Sequence, residues 1–109
     1  MGKIYSIDEI AAAVKPIAEK YGIDKVLLFG SYARGEATEK SDIDLLVSYK
    51  KLNGMFALGG LYADMEDAFN KSVDIVSERA LTASYATANS KVLLDNAKRE
   101  GIKIYGEEQ

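Results

Sequence analysis

Apolar side chains recur every three or four positions over residues 7–21, a spacing that predicts an amphipathic helix with one buried face. Ser6 and Glu9 have the spacing of a capping box at its start, and Gly22 follows as the residue that ends it. Pro16 lies inside the pattern and lacks a backbone donor, so we expect a kink in this first helix.

Short apolar runs further along the chain predict strands. Residues 25–29 are apolar on both faces, as expected of a buried central strand, and Gly30 follows them directly. Residues 42–47 and 73–76 predict two more strands, and residues 102–105 predict an edge strand.

Helical segments separate these strands: a short turn around residues 32–34, a helix over 55–69, and a helix within 84–99 that ends at Gly101. Gly59 and Gly60 weaken the second of them by about 1 kcal/mol each. Its predicted apolar face comprises Met55, Leu58, Tyr62, Met65, Ala68 and Phe69. The alternation predicts an α/β (α+β) fold, a small mixed sheet of three to four strands with about four helices packed on it.

The composition narrows the chemistry that the chain can support. Its 109 residues fit one domain over 1–109, with no repeat and no Pro/Gly-rich linker. Because cysteine and histidine are absent from the sequence, thiolate nucleophiles, cysteine zinc sites and histidine-based triads are excluded. A metal ion would therefore have oxygen ligands, which suits magnesium, manganese or calcium.

The charge pattern argues against nucleic-acid and membrane partners. The 14 basic and 17 acidic residues give a net charge of −3, and the basic ones are scattered along the sequence, so we expect no direct binding of nucleic acid. The sequence contains neither a signal-peptide run nor an apolar stretch approaching the roughly 18 residues of a membrane span. We therefore expect a cytoplasmic protein without a membrane contact.

Carboxylates at the predicted strand starts are the strongest chemical signal. Side chains two apart on a strand share a face, so Asp42 and Asp44 must project together, opposite the apolar residues between them. Like charges this close raise each other's pKa and are tolerated mainly when a divalent cation neutralises them. Asp74 repeats the pattern in the next strand. If the two strands are neighbours, three carboxylates form a ligand set for one or two magnesium ions on nucleotide phosphates, which indicates phosphoryl or nucleotidyl transfer.

A glycine turn precedes these acids. Gly30 allows close approach of a phosphate to the backbone, and Ser31 adds a hydroxyl donor at the start of a helical turn, so both are predicted to hold a triphosphate. Arg34 is predicted either to contact a phosphate or to form an ion pair within the protein. Each feature alone has a plain structural explanation, since Asp-x-Asp occurs in turns and Asp74 could be a solvated strand residue. Their combination on successive strands is far more specific.

Gly30-Ser31, ten intervening residues and then Asp42-x-Asp44 resembles the signature of the minimal nucleotidyltransferases of the DNA polymerase beta superfamily. The resemblance covers nearly the whole chain, and no position of the motif is substituted. It implies a compact nucleotidyltransferase palm in which Asp42 and Asp44 are ligands of magnesium ions. It further implies that Asp74 is the third ligand and activates the attacking hydroxyl, and that Gly30 and Ser31 hold the triphosphate of ATP.

Members of this size resemble the antitoxin half of HEPN/MNT toxin–antitoxin systems. The resemblance implies that the protein transfers AMP from ATP to a tyrosine hydroxyl of a HEPN ribonuclease partner. One alternative is an antitoxin that silences its partner by occlusion, without catalysis. Another is nucleotide transfer to a small molecule, although the chain offers little surface beyond the palm to enclose such an acceptor.

Overall fold

The computed structural model describes residues 4–78, 92, 95–96 and 98–106. The helices and strands, in chain order, are α1 Ile7–Tyr21, β1 Lys25–Phe29, α2 Ser31–Arg34, β2 Ile43–Ser48, α3 Ala57–Phe69, β3 Val73–Ser77 and β4 Ile102–Tyr105. The described residues between 92 and 100 are also helical, and Gly101 lies outside that helix. The earlier part of the helix predicted within 84–99 lies outside the described residues.

The four strands form one mixed sheet in the order β3-β2-β1-β4. β1 pairs antiparallel with both β2 and β4, whereas β2 and β3 run parallel. β1 is therefore a central strand and β4 an edge strand, as the sequence predicted. The predicted mixed sheet with helices packed on it is confirmed.

Helices α1 and α3 pack against each other and cover one face of the sheet. Alternate residues of the strands point into this core, and its fully buried members include Ile10, Val14, Val26, Leu28, Ile43, Leu45, Val47, Leu61 and Met65. On the opposite face, Leu46 is buried against Leu27, Phe29 and Val76 in a second, smaller cluster. Packing on both faces explains why residues 26–29 of β1 are all apolar.

The ends of α1 follow the sequence prediction. The Ser6 hydroxyl accepts from the Glu9 amide at 3.1 Å, and the Glu9 carboxylate accepts from the Ser6 amide at 2.9 Å. Gly22 ends the helix in the left-handed conformation with φ 75°. The helix continues through Pro16, so the kink stays a prediction.

The start of α3 differs from the sequence prediction. The helix begins at Ala57 rather than at residue 55, and Met55 and Phe56 are 90% and 82% exposed. The buried positions, Ala57, Leu61, Met65 and Phe69, are four apart. Assigning Met55, Leu58 and Ala68 to the apolar face was wrong, because spacing alone does not show which of two adjacent stripes meets the sheet.

Gly60 has a packing reason that its sequence context does not reveal. A Cβ atom at Gly60 would lie 2.6 Å from Tyr21 Oη, whereas one at Gly59 would meet nothing within 4 Å. The Tyr21 hydroxyl donates to Asp64 at 2.7 Å, and Lys20 forms an ion pair with the same carboxylate at 2.9 Å. Gly60 thus allows α1 and α3 to approach closely.

Within the described part of the chain, no helix is long and apolar enough to cross a bilayer.

Candidate active site

The sheet places two of the predicted acids directly opposite each other. Asp44 on β2 is in register with Asp74 on the parallel strand β3, and on its other side it faces Phe29, the last residue of β1. Asp42 lies one residue before β2 and is exposed, while Ile43 between the two acids is fully buried. The condition set by the sequence, that β2 and β3 are neighbours, is therefore met, and the backbones of Asp44 and Asp74 lie side by side.

The glycine turn lies against the second acid. A Cβ atom placed on Gly30 would overlap Asp44 Oδ2 and would lie 3.1 Å from Asp44 Cγ. Gly30 has φ 73° and ψ −152°, a conformation that is essentially restricted to glycine. The two halves of the sequence motif are thus in contact, and the missing side chain of Gly30 leaves room for the Asp44 carboxylate.

The ionised form of the Asp44 carboxyl is disfavoured in this arrangement. Burial raises the pKa of this half-buried carboxyl, the charges of Asp74 and Asp42 raise it further, and Arg34 partly offsets these effects. The predicted mutual repulsion of the acids is therefore present at Asp44. A cation at this edge would favour the ionised carboxylate.

The side chains of Asp42, Asp44 and Asp74 do not converge on a common point. Among residues 4–78 and the described part of 92–106, no group of three or more acidic side chains is arranged so that it could hold a metal ion. The backbone brings Asp42, Asp44 and Asp74 to one edge, and their short side chains would have to turn toward a shared cation. Their oxygen atoms fit a hard ion such as magnesium.

Arg34 and Ser31 lie on α2, the single helical turn that follows Gly30. Arg34 forms ion pairs with Glu36 at 2.9 Å and with Glu100 at 3.5 Å, so the ion-pair interpretation describes this structure. Ser31 is the first residue of α2, next to the turn that contacts Asp44. Phosphate binding by Gly30, Ser31 and Arg34 stays a prediction.

The sequence interpretation missed Lys71, which lies between α3 and β3. Its ammonium donates to Tyr32 Oη on α2 and to the carbonyl of Ser41, at 3.0 Å each. Tyr32 is 39 residues away along the chain, and no local pattern links it to Lys71. Only the neighbouring arrangement of β2 and β3 brings these groups together.

A cavity of about 910 Å³ lies at the opposite end of β1, beside Lys25 rather than beside Gly30. Lys15, Lys25 and Lys50 line it together with Tyr105. None of the predicted site residues contributes to it. The chemically informative groups lie at the other end of β1, where Asp44 faces Phe29 and Asp74.

The mixed sheet, the acids on adjacent strands and the glycine turn beside them form the arrangement that the sequence resemblance implies. The chain belongs to the family described as "Polymerase beta, Nucleotidyltransferase", whose profile matches residues 12–109. This confirms the resemblance to nucleotidyltransferases seen in the sequence.

Individual relatives agree with this assignment. A Methanocaldococcus jannaschii protein provisionally named a protein adenylyltransferase is 36% identical over 76 residues, 70% of this chain and 82% of that protein. The protein adenylyltransferase MntA of Thermococcus cleftensis is 32% identical over 77 residues, 71% of this chain and 78% of that protein. A crystal structure of a toxin–antitoxin with AMP-PNP superposes with a TM-score of 0.71 at 25% identity, covering 91% of this chain and 75% of that one.

Proposed function

We propose that this protein is an antitoxin that transfers AMP from ATP to a tyrosine hydroxyl of a HEPN ribonuclease toxin and thereby neutralises it. The observation that carries the proposal is the register of Asp44 with Asp74, with Gly30 packed against the Asp44 carboxylate. The relatives named protein adenylyltransferase and the toxin–antitoxin structure with AMP-PNP support the donor, the reaction and the class of partner.

The reaction assigns a role to each acid. Asp42 and Asp44 would hold magnesium ions on the triphosphate, with Asp74 as a third ligand. When bound, magnesium stabilises the charge that develops on the α-phosphate and on departing pyrophosphate. Asp74 would accept the proton of the tyrosine hydroxyl as that oxygen bonds to the α-phosphorus and the bond from the α-phosphorus to pyrophosphate breaks. The Gly30-Ser31 turn would orient the triphosphate for this attack.

Incubation with α-labelled ATP, magnesium and a HEPN ribonuclease from the same organism, chosen where one is encoded beside this protein, tests the proposal. We expect label on a tyrosine of the ribonuclease, loss of ribonuclease activity, and loss of both effects in Asp44→Asn. Asp24→Asn is the matched control, because Asp24 is exposed and precedes β1 at the end of the strand away from Gly30. Absence of label with the unmodified protein would overturn the proposal.

Neutralisation by occlusion is the competing function, and one observation favours it. Met55, Phe56 and Leu58 are exposed side by side at the start of α3, as is typical of a protein contact surface. The double variant Asp42→Asn, Asp44→Asn separates the two functions. If it still neutralises the toxin fully, occlusion is sufficient and the acids are not needed.

A further inference from the structure

Lys71 joins the three parts of the chain that carry the candidate site. Its ammonium donates to Tyr32 Oη, one residue after Ser31, and to the carbonyl of Ser41, one residue before Asp42. Lys71 itself lies three residues before Asp74. A single ammonium with three donors thus connects α2, the entry to β2 and the entry to β3.

Asp42 needs such a connection because it lies before β2 and is exposed. Its peptide groups are held on both sides by the segment that leads into β3. The Ser41 carbonyl accepts from Lys71 at 3.0 Å, and the Ile43 amide donates to the Ser72 carbonyl at 3.2 Å. The second bond is between backbone atoms, whereas the first depends on the Lys71 side chain.

The Tyr32 side chain, which accepts one of the Lys71 hydrogen bonds, is held in place by the hydrophobic core. Tyr32 is 5% exposed and belongs to the main hydrophobic core, so its hydroxyl is a fixed acceptor for the ammonium. Because α2 starts directly after Gly30, the position of Tyr32 also fixes the glycine turn.

We propose that Lys71 is a positioning residue that holds Asp42 and the Gly30-Ser31 turn at a fixed separation from Asp74. This inference rests on the proposed function, since its consequence is the placement of metal and triphosphate. Supporting contacts of this kind typically change metal affinity or activity by about 10–100-fold when removed.

The test compares three variants. Lys71→Met keeps a long, unbranched side chain but removes the N–H donors of the ammonium, Lys71→Arg keeps N–H donors, and Lys40→Met is the control. Lys40 is an exposed lysine on the loop before Ser41, so its variant has the same charge change without the connection. Binding of Mn²⁺ with α,β-methylene-ATP is measured by calorimetry, and kcat and KM for ATP are measured where all variants are folded.

We expect Lys71→Met to weaken Mn²⁺ binding by about 10-fold and to lower kcat by about 10–100-fold. Lys71→Arg should recover most of both, and Lys40→Met should match the unmodified protein. Tyr32→Phe should cause a smaller loss when added to Lys71→Met than when made alone, because the hydrogen bond between the two side chains is then already absent. A lower melting temperature for Lys71→Met with unchanged Mn²⁺ affinity and kcat would show a merely structural role and overturn the inference.

The outcomes distinguish this inference from the proposed function. If the unmodified protein binds Mn²⁺ and the ATP analogue but labels no toxin, the proposed function fails, while a selective loss of Mn²⁺ affinity in Lys71→Met still supports the inference. If the unmodified protein has no measurable Mn²⁺ affinity, both fail.

Discussion

Replacing Gly30 by alanine perturbs the candidate site with a single added methyl group. The backbone conformation at Gly30 costs another residue about 1–3 kcal/mol, and overlap of the new Cβ with Asp44 Oδ2 adds about 1–3 kcal/mol if nothing moves. The cheapest relief is displacement of the Asp44 carboxylate away from the turn. A shift of about 1 Å in a reacting group can cost about 100-fold in rate, so we expect at least that loss of AMP transfer.

Gly35→Ala is the matched control, because Gly35 has φ 75° and ψ 22° and its Cβ would meet nothing within 4 Å. It should lower stability by about 1–2 kcal/mol, or roughly 4–8 °C in melting temperature, and leave transfer nearly unchanged. Circular dichroism establishes that both variants are folded at the assay temperature. If Gly30→Ala transfers AMP as fast as Gly35→Ala, the contact between Gly30 and Asp44 has no role in the reaction.

Three further predictions follow from the same geometry. Asp74→Asn should keep nucleotide binding by calorimetry but lower transfer by at least ~100-fold, because it removes the proton acceptor; transfer at the unmodified rate would contradict the role of Asp74. Gly59→Ala should raise the melting temperature by about 4 °C through helix propensity, whereas Gly60→Ala should lower it because its Cβ meets Tyr21 Oη at 2.6 Å; equal shifts would contradict the packing. Because the pKa of Asp44 is raised in the folded protein, the folded state binds more protons, and this group destabilises the fold increasingly as pH rises above 3.8, the ordinary pKa of an aspartate. Magnesium should therefore raise the melting temperature more at pH 7 than at pH 5, and an equal rise would contradict crowding of the acids.

The position of Asp44 was predictable from local sequence because strand alternation is a local property. With Ile43 and Leu45 buried, Asp44 had to face the other side of the sheet. That Asp74 would lie opposite Asp44 depended on the pairing of β2 with β3, which alternation does not determine and which the sequence analysis could state only as a condition. The expectation that Asp74 joins Asp42 and Asp44 came from the family resemblance.

Contacts between residues far apart in the sequence could not be predicted from local sequence patterns. Arg34 pairs with Glu100, 66 positions away, and Lys71 reaches Tyr32 and Ser41 from the far side of β2. Their side chains are long and polar, and such residues usually lie in solvent unless the fold offers a partner. The sequence pattern therefore located the acids but not the long-range contacts that Arg34 and Lys71 make.

The strain at Asp44 links stability to the proposed function. The β2–β3 register fixes the Asp44 backbone opposite Asp74, and the turn at Gly30 lies against one side of the Asp44 carboxylate. The carboxylate therefore cannot move far from Asp74 without disturbing the sheet. The fold thus loses stability at the point where the motif requires negative charge, because burial and the neighbouring acids both disfavour the ionised carboxyl. A ligand that binds only the folded state stabilises it in proportion to the logarithm of its concentration over Kd. The carboxylates proposed to carry out the transfer should therefore also make the folded protein most stable when magnesium and ATP are bound together.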